Sequence, residues 1–207
     1  MLRLRHFEAI FAAAVVGFVA SYACAQEFTA HLKGVNEIGS IPNGATYAQS
    51  YTGAVLSSGE GTVKLNLNKT AGTIDYELTY SNVGTTSPQT GTVSQAHIHF
   101  GKSRDSGGIV VFFCTNLTFS GTGSTPQACP KNSGTVSGTW TKADVQAVPA
   151  QNIQAGDFDA LVYALESHAA YANVHTVPLS GETNTAYPGG EIRGQVHLAK
   201  EEGENNH

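Results

Sequence analysis

The stretch Gly61-Thr-Val-Lys-Leu-Asn-Leu-Asn68, followed by Lys69-Thr-Ala-Gly72 and Thr73-Ile-Asp-Tyr-Glu-Leu-Thr-Tyr80, sets the period in which the rest of the chain is read. Successive side chains of a strand leave opposite faces, so Val63, Leu65 and Leu67 share one face. Ile74, Tyr76, Leu78 and Tyr80 share a face of the next strand in the same way. The intervening Lys69-Thr-Ala-Gly72 has the length and composition of an antiparallel hairpin turn. Each strand then buries one side and wets the other, as antiparallel sheets do.

The same text runs outward in both directions. Towards the N-terminus, residues 28–32 alternate as a strand ending at Gly34, residues 35–49 read as a loop, and a second strand begins in 53–57. Towards the C-terminus, 81–92 is a loop, 94–100 a strand, 101–108 a polar turn, and Ile109-Val-Val-Phe-Phe113 an apolar run. A run apolar on both faces predicts a central strand covered on both sides. Residues 134–140, 171–176 and 191–198 supply further strands. Helix is scarce. Thr141-Lys-Ala-Asp144 has the form of a capping box and predicts a short helical turn to Val148, stopped by Pro149. Residues 157–168 place Phe158, Leu161, Val162 and Leu165 at helical spacing, a stripe for packing on the sheet. With 23 glycines punctuating short strands, the expected class is all-β, an antiparallel β-sandwich or Greek-key barrel with one or two short helices.

The ends read differently. Met1-Leu-Arg-Leu-Arg-His6 is basic, residues 9–20 are uncharged and apolar, and Ala23-Cys24-Ala25 has the small-x-small form of a signal-peptidase site. Residues 1–25 are therefore read as a signal peptide, residues 26–199 as one β domain, and residues 200–207 as a charged disordered tail. A lipid anchor at Cys24 is the alternative. The run is too short to span a bilayer, so no membrane insertion is expected. Loss of Arg3, Arg5 and Glu8 leaves the remainder more acidic than the −5 of the whole chain, with no basic cluster for nucleic acid. In an exported chain Cys114 and Cys129 then predict a disulfide, with metal-binding thiolates as the other reading. The one methionine is Met1, so a blue-copper site of two His, Cys and axial Met does not fit.

The residues that carry chemistry are histidines. His97 and His99, one residue apart on a strand, leave the same face and are spaced to chelate one ion; neutral imidazole suits copper or zinc. His175 follows the same strand-borne pattern as a third ligand, with His168 in reserve; hydrogen bonding within a polar stripe is the alternative for all of them. Glu191 and Arg193 share a face, either orienting a ligating histidine or pairing to tie the last strand to its neighbour. Motifs for hydrolases, phosphate loops and Cys-x-x-Cys chemistry are missing from the sequence, so no catalytic residue is assigned and the chain reads as more a binder than an enzyme.

Phe28-x-Ala-x-Leu-x-Gly34-Val-Asn-Glu37, Ala96-His-Ile-His-Phe-Gly101, Gly108-Ile-Val-Val111, Tyr171-Ala-Asn-Val-His-Thr176 and Pro188-Gly-Gly-Glu-Ile-Arg-Gly-Gln195 together resemble the CHRD domain. That domain is found in chordin and is frequent in secreted bacterial proteins. The resemblance runs from about residue 27 to residue 198. It departs at Ile38-Gly39, where the family often has Pro-Pro, and in the insert between Cys114 and Cys129. It implies a secreted, non-catalytic binding or structural module whose partner is an extracellular or periplasmic protein or a metal ion. The histidine pattern is also similar to that of copper/zinc superoxide dismutase on its Greek-key barrel, which implies a copper-handling or redox metalloprotein as the alternative.

Overall fold

The computed structural model describes residues 25–38, 54–181 and 186–199; residues 1–24 of the expected signal peptide and the expected charged tail at 200–207 lie outside the described residues. Among the described residues the strands are β1 (Gln26–Lys33), β2 (Glu60–Asn68), β3 (Thr73–Ser81), β4 (Thr92–Phe100), β5 (Ile109–Thr115), β6 (Gly134–Trp140), β7 (Ala170–Val177), β8 (Ile192–Gln195) and β9 (His197–Leu198). One α-helix, α1 (Phe158–Glu166), follows β6. All pairings are antiparallel. The strands run β5-β4-β7-β8-β1-β2-β3-β6 across one sheet, with β9 added on β1, and the sheet curls into a nearly closed barrel.

The β2–β3 hairpin has the register its alternation requires: Val63 faces Leu78 and Leu67 faces Ile74, all four fully buried. Gly72 turns the chain between them. Phe28, Ala30 and Leu32 of β1, Ala96 and Ile98 of β4, and Ala170, Ala172 and Val174 of β7 join the same core. Leu161 and Leu165 of α1 close one side, as the helical stripe predicts, and Asp157 caps the helix by accepting from the Ala160 amide at 3.0 Å.

Four local expectations are corrected. Residues 54–57 form no strand: Val55 donates a single backbone bond to the Gly34 carbonyl, 2.8 Å, and one bond without a ladder makes a loop contact. β5 is the terminal strand of the sheet, not a central one. Its two-sided burial arises because following segments fold over it: Phe119 meets Phe112 edge-on, and the Gln146 amide donates to the Val110 carbonyl. Pro149 starts a 3-10 turn (Pro149–Gln151) where it was expected to stop a helix, because at the first position of a turn its missing N–H is no loss. The capping box at Thr141 and Asp144 forms, but over a 3-10 turn (Lys142–Asp144) only.

Between β5 and β6 the barrel is sealed by side chains. Trp140 Nε1 donates to the Phe112 carbonyl at 2.7 Å, and the Tyr76 hydroxyl donates to the Phe113 carbonyl at 3.4 Å. The Tyr76 and Trp140 rings stack at 4.4 Å. Gln127 spans the gap: its carbonyl accepts from the Thr115 amide of β5 and its Nε2 donates to the Ser137 carbonyl of β6. The expected disulfide, Cys114–Cys129, holds the Gln127 loop at the same place. Trp140→Phe keeps most of the ring but leaves the Phe112 carbonyl unpaired, and is expected to lower the unfolding free energy by about 1–3 kcal/mol. Urea titration checks this; an unchanged midpoint would show that the seam does not depend on the indole N–H.

Candidate metal centre

β4 and β7 pair so that Gln95 faces His175, His97 faces Asn173 and His99 faces Tyr171. Because Ala96, Ile98, Ala172 and Val174 point into the hydrophobic core, alternation sends His97, His99, Tyr171, Asn173 and His175 to the other face of the sheet. That face is covered. His97 is 0% exposed, His175 6% and His99 8%. One nitrogen from each of these rings lies within 4.8 Å of one from each of the others, and no other such group of His, Cys, Asp or Glu occurs among the described residues.

The proton on each ring follows from its partners. His99 Nδ1 lies 2.8 Å from the Gly107 carbonyl, and His175 Nδ1 lies 2.9 Å from the Pro188 carbonyl. A carbonyl only accepts, so both Nδ1 atoms carry hydrogen and both Nε2 atoms of the neutral rings carry lone pairs. His97 Nδ1, 2.9 Å from His99 Nε2, then donates to it. The lone pairs of His97 Nε2 and His175 Nε2 are left buried with no hydrogen-bond partner. Such orphans are uncommon in folded proteins and call for a physical reason.

Burial keeps the rings neutral. It pushes His99 down to about 3, helped by His175 and Arg193 and opposed by the Gly107 bond. Burial likewise lowers His175 to about 4, against the Pro188 bond. His97 is pushed well below the ordinary value, by burial first and by its two neighbours second. A neutral imidazole with a free Nε2 is the form that ligates a metal. One nitrogen from each of the three rings, all within 4.8 Å of one another, fits a small ion with bonds of about 2.0–2.1 Å once the rings rotate and His99 gives up the hydrogen bond from His97.

The surroundings fix the rings. Tyr171 stacks on His99 with centroids 4.6 Å apart and planes 5° from parallel, and the Arg193 guanidinium carbon lies 3.3 Å above the other face of Tyr171. Arg193 Nη2 donates to the carbonyls of Lys102 and Asp105, both at 2.9 Å. It thereby pins the loop 101–108 whose Gly107 holds His99. Residue 107 must be glycine, since a Cβ there would lie 1.7 Å from the Phe100 carbonyl oxygen. Behind His97, Asn173 donates to the Glu37 carboxylate and to the Ile192 carbonyl. Gly190, at φ 123°, permits this, because its Cβ would meet both Glu37 and Asn173 within 2.5 Å.

Glu191 and Arg193 do not act on one face as their spacing suggested. Glu191 precedes β8, so the two-residue period does not reach it. Its carboxylate accepts from Ser57 Oγ at 2.7 Å, the Gly84 amide at 2.9 and 3.0 Å, and Thr176 Oγ1 at 3.1 Å, fastening two loops to β7. His168 is outside the three-ring group; it follows α1 with φ 56° and faces His197, their Nδ1 atoms 3.4 Å apart. The sequence reading missed Tyr171, Asn173, Gly107 and Glu37. Period two on β7 already put Tyr171 and Asn173 beside His175, but nothing local marked Gly107 as the carbonyl that orients His99.

The family model described as the CHRD domain matches residues 28–196. No curated protein matches the chain.

Acid is expected to destabilise the metal-free protein through these rings. In the unfolded chain they take up protons near 6.5, whereas His175 and His99 in the folded protein do so only near 4 and 3. Between those limits the unfolded state binds more protons, so stability falls as pH drops from about 6.5 towards about 4. Each such histidine contributes up to about 1.4 kcal/mol per pH unit. Urea unfolding with a chelator present, at stepped pH, measures the slope. His175→Gln should flatten it by about one proton, and equal slopes would contradict the burial argument.

Proposed function

The chain belongs to the CHRD domain family, and from that premise we propose that it is an exported, non-catalytic binding module whose His97, His99 and His175 hold one copper or zinc ion. The observation that carries this reading is the pair of buried, unpartnered Nε2 lone pairs on His97 and His175. Leaving a polar atom buried and unpaired costs about 1–3 kcal/mol, and a cation is the partner that two lone pairs can share. His99 offers its own Nε2 lone pair in place of the hydrogen bond from His97. Tyr171, Arg193, Gly107 and Pro188 orient the rings, as the outer partners of metal-ligating histidines do.

Sealed rings suit holding an ion more than turning over a bulky substrate. The redox alternative requires that copper be bound and also cycle, so a superoxide or electron-transfer assay on the copper-loaded protein separates the two. Export is supported by the reading of residues 1–25 and by the formed disulfide, which belongs with an oxidising compartment. Among the described residues no helix is long and apolar enough to cross a membrane.

Titration of the purified protein with Cu and Zn salts against chromogenic chelators is expected to give one ion per chain, with a His97→Ala, His99→Ala double variant weaker by at least about 10–100-fold. Equal uptake by the two proteins removes the metal reading and leaves a metal-free binding module. N-terminal sequencing of protein recovered from the periplasm or medium is expected to begin at Gln26.

A further inference from the structure

The charge of the ion follows from what surrounds the rings, an inference that rests on the metal reading above. We propose that the three-imidazole cluster selects monovalent copper, Cu(I), over Zn(II) and Cu(II).

Every donor in the cluster is a neutral imidazole. The partners that orient the rings are neutral as well: His99 and His175 give their Nδ1 protons to backbone carbonyls, and His97 gives its proton to His99. A divalent site commonly backs its histidines with carboxylates, which place negative charge one bond away from the ligand. Here the Nδ1 partners of His99 and His175 are carbonyls instead; Glu191 binds Ser57, Gly84 and Thr176, and Glu37 binds Asn173, the residue across from His97. Arg193 lies against the ring of Tyr171, whose other face stacks on His99, so a formal positive charge already stands near the cluster.

Burying an ion costs in proportion to the square of its charge, so a dication in this apolar setting costs about four times as much as a monocation of equal size. Two or three neutral donors must offset that cost without an anion. The donor count points the same way. Zn(II) is almost always four-coordinate, whereas the described residues converge three nitrogens on a buried face. Cu(I), with a filled d shell, is content with two or three. With Cys114 and Cys129 joined in a disulfide, no thiolate from that pair competes for the ion.

The test is a set of competition titrations on the full chain. Cu(I) is presented under ascorbate, without oxygen, against bicinchoninate; Zn(II) and Cu(II) are presented against chelators of known affinity. Cu(I) is expected to bind at least about a hundredfold more tightly than either dication. Zn(II) or Cu(II) binding as tightly as Cu(I), and lost in the His97→Ala, His99→Ala variant, would overturn the monovalent assignment while leaving the metal site intact. Uptake of no ion beyond that of the double variant would overturn both. A second variant isolates the cause: Gln95 stands directly across from His175, so Gln95→Glu places a carboxylate beside the cluster. It is expected to narrow the preference for Cu(I) over Zn(II) by at least about tenfold, and an unchanged ratio would refute the charge argument.

Discussion

A slip of one residue between β4 and β7 would turn either His97 and His99 or His175 into the hydrocarbon core, and push Ala96 and Ile98 or Ala172 and Val174 outward. The histidine cluster therefore exists only in the register that places Gln95 opposite His175 and His99 opposite Tyr171. That register is held from the core side, where the four small and branched residues are fully buried, and from the outer side by the stack of His99, Tyr171 and Arg193. Packing energy on one face thus fixes the geometry of polar groups on the other. The site inherits its precision from the core without sharing any atom with it.

The outer face is unusual for an antiparallel sheet because it is polar and yet dry. Loops supply the cover, and each is tied down by a side chain from the sheet. Arg193 takes the carbonyls of Lys102 and Asp105, and Gln195 those of Gly101 and His168. These buried polar contacts are local and directional, so they order loops that hydrophobic packing alone would leave free. Nearly every one is spent on backbone groups. That leaves the imidazoles with few partners other than each other and two carbonyls.

Much of this was legible in the sequence. Period-two alternation at 61–67 and 74–80 located the hairpin, and Cys114 and Cys129 located the staple between β5 and the loop before β6. His-x-His on one strand and Tyr-x-Asn-x-His on another are enough to predict two polar faces, and antiparallel pairing then brings them together. What could not be read is whatever depends on loop conformation or on the order of strands. Ile109–Phe113 gave its burial correctly but its place in the sheet wrongly, because apolar cover can come from loops as well as from strands. Glu191 lies one residue outside β8, where alternation no longer says which way a side chain turns. Gly107 carries no side chain at all, and its role resides in a carbonyl that only the folded loop aims at His99.

The side-chain closure between β5 and β6 has a consequence for how the molecule meets other copies of itself. A curled sheet whose ends stop short of pairing would present two rows of unsatisfied amides and carbonyls, each a template on which a neighbouring chain can add a strand. Trp140, Tyr76, Gln127 and Gln146 occupy several of those groups in advance. The aromatic lock that completes the barrel is in this sense also a guard against edge-to-edge pairing, built without charged residues on β5 or β6.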